Sequence, residues 1–185
     1  MIMDALAQLF HGVCGQNPLH TWMAGELAAP CCQRCTGLYV GVCAAFLLHR
    51  FLRPQLTSRF LEVHGLLLLL MIPCGFHWVP QGPILRALSG VGFGFGVVTY
   101  LWLAIDASPI QVPGRAWHYA LGLVAALVGV PLLGTWGGKA GMYLLAGLTT
   151  AGALILAGLC LAALFAASRF VVRTLALLIR WRSSP

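Results

Sequence analysis

The chain has 185 residues, 60% of them hydrophobic and 8% charged, and its mean hydropathy is +0.90. That composition excludes an ordinary water-soluble domain and makes lipid the expected solvent of one membrane domain. The net charge of +7 does not point to nucleic acid, because the basic residues cluster in short groups at the ends of apolar runs and form no basic face.

Residues 1–33 read as an extramembrane segment with a short helical stretch. Met1 to Val13 carries Asp4, no Lys or Arg, and no compact apolar core before a small-residue cleavage site, so no cleavable signal peptide is expected. His11, Cys14 and His20 lie here, and the segment ends in Pro30-Cys31-Cys32-Gln33-Arg34-Cys35-Thr36-Gly37. Five apolar runs follow, at about 34–52, 60–79, 84–105, 117–136 and 142–167, each near the roughly 20 residues that a spanning helix needs. Pro54, the Pro80 to Pro83 turn, Pro109 with Pro113, and Gly137-Gly138 punctuate them. The expected fold is therefore an all-α polytopic bundle of about five spans over residues 34–167. Residues 168–185 are expected either to bend near Ser168 into a basic amphipathic tail along the headgroups or to prolong the fifth helix.

Loop charge gives an expected orientation. Arg50, Arg53, Arg59, Arg115, Arg169, Arg173, Arg180 and Arg182 fall on one side of the spans, and only Arg34, Arg86 and Lys139 on the other. The positive-inside bias then sets the N-terminus outside and the C-terminus in the cytoplasm, in a multi-pass protein of the inner (cytoplasmic) membrane. In the third span, Gly90, Gly92, Gly94 and Gly96 form two overlapping Gly-x-x-x-Gly registers that let neighbouring helices approach. No strand precedes them and no Lys-Ser or Lys-Thr follows, so this is not a phosphate loop. Gly122, Gly129, Gly147 and Gly158 are expected to serve packing more diffusely.

This topology brings distant polar residues to one membrane face. Cys14, Cys32 and Cys35, with an imidazole from His11, His20 or His77, make a Cys3His set suited to zinc or another soft-ligand metal. Cys32 and Cys35 can instead form an exchangeable dithiol, with Cys14 or Cys31 resolving and Arg34 favouring the thiolate. A third reading is a structural disulfide from Cys14 to Cys32 or Cys35, in keeping with an oxidising compartment. Cys43, Cys74 and Cys160 lie inside the spans and read as small hydrophobes. Arg34 and Arg86, near Trp22, Tyr39 and Trp78, can bind a lipid phosphate or a carboxylate group of a ligand bidentately, or simply snorkel to the interface. On the other face, His49, His64 and His118 are placed as haem ligands can be, although no Cys-x-x-Cys-His attachment motif is present and interfacial histidines ordinarily bond headgroups or backbone. With only Asp4, Glu26, Glu62 and Asp106 as acids, no carboxylate pair and no Ser-His-Asp arrangement emerges.

The residues Cys14, Gln16, Pro30, Cys32, Arg34, Cys35, Thr36, Gly37, Tyr39 and Gly41 carry a Cys-His-Gln signature followed by Pro-x-Cys-x-Arg-Cys-Thr-Gly-x-Tyr-x-Gly, in which Gly15 replaces the histidine. In this the chain resembles the family of small multi-spanning prokaryotic membrane proteins called domain of unknown function 2085. The resemblance implies that Cys14, Cys32 and Cys35 form the set and that Cys31 is an incidental neighbour. It extends to Arg86, Gly90 and Gly94, and so covers roughly Cys14 to Gly96. It implies architecture and no activity. The expected functions are a metal site, structural or supporting membrane redox or assembly, a thiol oxidoreductase working with a quinone or periplasmic partner, or an accessory subunit of a larger membrane complex.

Overall fold

Helices α2 (Gln33–Leu52) and α5 (Pro83–Ile105) are the centre of the fold, because glycines on both let their backbones touch. The computed structural model of the protein describes residues 2–76, 78–105 and 115–182. A Cβ placed on Gly41 would lie 2.6 Å from the Val91 carbonyl oxygen, and one on Gly90 would lie 2.8 Å from the Leu38 nitrogen. Gly37 meets Ala87 and Gly94 meets Leu38 and Val42 in the same way. Close approach of this kind is how small residues join helices where lipid supplies no hydrophobic drive. The second register of α5 faces elsewhere: Gly92 sits on Leu67, and Gly96 on Leu68 and the His64 carbonyl of α3 (Ser58–Leu69). Alternate glycines of one helix thus serve two partners.

Helix α3 starts at an N-cap, Thr57, whose hydroxyl accepts from the Phe60 N–H at 3.2 Å. The second span is broken: α3 ends at Leu69 and a short α4 (Met71–Gly75) follows. Pro73 accounts for the interruption, since its ring clashes with the carbonyl four residues back and it offers no N–H. Helices α6 (Ala116–Trp136) and α7 (Gly138–Arg182) complete the bundle, with α7 seated on α2 where Gly152 meets the Tyr39 carbonyl. Among the described residues, five helical stretches are long and apolar enough to cross a membrane: Gln33–Leu52, Ser58–Gly75, Pro83–Ile105, Ala116–Trp136 and Gly138–Thr174. Val42, Val91, Phe95, Val98 and Leu145 fill the core, whereas Leu66, Leu69, Leu154, Leu161 and Leu164 point outward, the distribution expected of lipid-facing surfaces.

Three details differ from the sequence reading. The N-terminal segment has the expected helix, α1 (Ile2–Phe10), but also an antiparallel hairpin of β1 (Thr21–Ala24) and β2 (Leu27–Cys32), with Ala24 paired to Leu27 across a Gly25-Glu26 turn. Gly25 has φ +66, which the turn requires and a side chain resists. Gly129, Gly147 and Gly158 have no heavy atom within 4 Å of a built Cβ, so of the four diffuse glycines only Gly122, against Leu48, packs. Trp22, expected beside Arg34 and Arg86 at the membrane interface, is buried against Gly134 of α6 and docks the hairpin on the bundle. Past Ser168 the helix α7 continues without interruption to Arg182.

Candidate metal centre

The hairpin ends where α2 begins, and that junction builds the site. Cys32 is the last residue of β2 and the N-cap of α2, and Cys35 lies in the first turn. Cys14 comes from the turn after α1, whose chain folds back because the Cys14 N–H donates to the Phe10 carbonyl at 2.9 Å. The Sγ atoms of Cys14, Cys32 and Cys35 lie within 4.8 Å of one another and form a group that can hold a metal ion. Cys14 is buried and the other two are partly exposed. None of the cysteines is disulfide-bonded.

The signature residues between the thiols hold this geometry. Gln16, in the left-handed region at φ 42, donates through its amide to the Ala7 carbonyl and to the Pro30 carbonyl at 3.0 Å, clasping α1 to β2. The Thr36 hydroxyl donates to the Cys31 carbonyl at 3.3 Å. Arg34 Nη2 donates to the Cys74 carbonyl at 2.7 Å and to Gln81 Oε1 at 2.8 Å, tying α2 to the α4–α5 connection. The Tyr39 ring lies 5.5 Å from that of Phe10 and covers the buried side of the cluster.

The thiols are not equivalent. Cys14 is pushed well below the ordinary thiol value, chiefly because the Cys31 thiol donates to its sulfur, with Cys32 and Cys35 adding to the effect. The Cys32 backbone N–H also donates to it, at 3.3 Å. Cys31 and Cys32 are pushed up, first by donating to Cys14 and then by burial. The arrangement thus favours the charged form at Cys14 and disfavours it at Cys31 and Cys32. Cys31 is fully buried beside Cys14 but lies outside the group of three sulfurs.

The other residues predicted for the site are distributed around it. His11 is exposed and does not join the sulfur group; neither does His20. His20 instead lines a cavity of about 180 Å³ with Cys32, Arg34 and Arg86. Gly15, at the position where the signature has histidine, opens on the same cavity and has no heavy atom within 4 Å of a built Cβ. His77 lies outside the described residues. Of the histidines considered for haem, His118 is exposed, whereas His49 and His64 are buried and both face Tyr119.

A second polar cluster emerges there that sequence reasoning missed. His49 Nε2 lies 3.1 Å from the Thr99 hydroxyl and 3.2 Å from the Tyr119 hydroxyl, which are 3.4 Å apart, all buried between α2, α5 and α6. His64 Nδ1–H donates to the Phe60 carbonyl at 2.7 Å. Only the spacing of polar residues within apolar runs hinted at this, since the three helices meet far apart in sequence.

Residues 14–100 match the family model described as predicted membrane protein (DUF2085), the family whose signature the cysteine segment carries. Neither the curated proteins nor the solved structures give a significant match.

Proposed function

We propose that this protein, DUF2085-like over the matched stretch, binds a soft-ligand transition metal, zinc foremost, through Cys14, Cys32 and Cys35. The observation that carries this is the convergence of the three sulfurs within 4.8 Å. Tetrahedral zinc with Zn–S of about 2.3 Å sets its sulfurs about 3.8 Å apart, so closing the cluster takes a movement of no more than about 1 Å. Three protein ligands leave a fourth position, which in zinc sites marks a centre open to water or another ligand. Cys32 lines the Arg34 and Arg86 cavity, which supports an opening on that side.

In this reading the N-terminus, hairpin and thiols lie outside the inner membrane and the arginine-rich ends of the spans lie in the cytoplasm, as the loop charges favour. The lipid bilayer is the one partner that the spans require, and the site serves membrane redox or assembly. The partial exposure of Cys32 and Cys35 favours a second reading, a thiol oxidoreductase in which the two exchange with a quinone-linked or periplasmic partner. Serine variants separate the two. Metal binding predicts that Cys14→Ser, Cys32→Ser and Cys35→Ser each abolish bound metal, whereas exchange predicts that changing one of Cys32 and Cys35 traps mixed disulfides on the other.

A further inference from the structure

Beside the thiols, Arg34 and Arg86 enclose a cavity of about 180 Å³ together with Gln16, Asn17, His20 and Cys32. Two guanidinium groups are thus brought together where their mutual repulsion is not relieved by any carboxylate among the described residues. Among the described residues the Arg34 side chain bonds the Cys74 carbonyl and Gln81 Oε1, and Arg86 Nε bonds the Gln81 carbonyl at 3.1 Å. Those bonds fix both side chains while using one nitrogen of each. Arg34 Nε is buried with no hydrogen-bond partner, and the bond described for Arg86 uses its Nε. Leaving a buried charged donor unmade is costly, and uncompensated like charges add to that cost, so a site of this kind is completed by an anion. Planar guanidinium forks match the oxygens of phosphate in geometry as well as charge.

We propose that this cavity is an anion site that takes a phosphate group, held by Arg34 and Arg86, with the Asn17 amide on its wall. The phosphate belongs either to a free phosphate compound or to a lipid headgroup, and both present the same oxygens. The site goes beyond the metal centre and does not depend on it, although Cys32 is common to both and a bound anion would lie next to the metal's open side.

The test uses the full chain in mild detergent. Equilibrium dialysis against radiolabelled inorganic phosphate measures the first source, and native mass spectrometry of protein drawn from its membrane counts retained anionic phospholipid for the second. Arg86→Gln removes one fork and is expected to weaken phosphate binding about tenfold or more, while Arg86→Lys keeps most of it. Asn17→Asp is the companion variant should Arg86→Gln misfold. Its carboxylate still accepts from the Leu19 N–H, a bond that Asn17 makes at 3.0 Å, but it turns a wall of the cavity negative. One inorganic phosphate per chain, lost in both variants, supports a free phosphate ligand. One anionic lipid per chain, lost in both, supports a headgroup. Binding of neither, or binding that survives both variants, overturns the site. Cys35→Ser, which removes a sulfur but no wall of the cavity, distinguishes the two proposals: metal content should fall while phosphate binding persists.

Discussion

Gly41→Ala tests the packing on which the whole site stands. The added methyl would meet the Val91 carbonyl oxygen at 2.6 Å and the Val91 Cα at 2.9 Å. Ordinary carbon–oxygen contacts of this kind are about 3.3–3.6 Å and carbon–carbon contacts about 3.5–4.0 Å, so α2 and α5 must part by roughly 0.7–1 Å at this level. The atoms in the way are backbone, which cannot swing aside as a side chain can. Overpacking of that size costs about 1–3 kcal/mol. Ala is intrinsically the better helix former by about 1 kcal/mol, so the fair control is Gly129→Ala, where nothing lies within 4 Å and only that gain applies. The thermal unfolding midpoint in maltoside, followed by circular dichroism, should therefore be about 3–10 °C lower for Gly41→Ala than for Gly129→Ala. Midpoints within a degree of one another would refute the close-packed α2–α5 interface.

Other expectations follow from the site. Gln16→Ala frees Cys14 from β2 and should cost about 1–3 kcal/mol, with metal lost at lower chelator concentrations; metal retention equal to that of the unaltered chain would remove Gln16 as a positioning residue. Gly15→His has room for its ring beside the open side of the cluster and should tighten metal retention under chelator competition about tenfold; weakened retention would mean that position 15 does not reach the metal. Thr99→Val deletes a hydroxyl from the buried His49 cluster and should lower stability by about 0.5–2 kcal/mol by the same melting assay, without changing metal content. Acidification should strip the metal: Cys14 is held low and meets the ion as thiolate, but Cys32 is held high and must give up its proton on binding. Occupancy after dialysis is thus expected to be full at about pH 8 and lost by about pH 5, with protons released on binding; pH-independent occupancy would contradict thiolate ligation.

The spans were legible because length and hydropathy alone define them, and their boundaries differ from the sequence reading by a few residues. The glycine rows of α5 were legible too, but not the fact that alternate members face α2 and α3, which depends on helix rotation. The Cys14, Cys32 and Cys35 set could be read from the Cys-x-x-Cys spacing and the signature, yet its closure rests on the Gln16 clasp and the β1–β2 hairpin. The hairpin was hidden because Thr21 to Cys32 contains Pro30 and two acid or glycine turn residues and is too short to show alternation. The His49, Thr99 and Tyr119 cluster is a product of tertiary packing between three spans, which the isolated polar residues within the apolar runs hint at but do not pair.

The central claim is most directly tested by elemental analysis of the detergent-purified protein combined with counting of alkylatable thiols before and after chelation. A metal-binding cluster predicts about one zinc, iron or copper per chain, with Cys14, Cys32 and Cys35 protected from alkylation until a chelator is added. Absence of stoichiometric metal, with two thiols appearing only after reduction, would contradict it and leave a disulfide in its place.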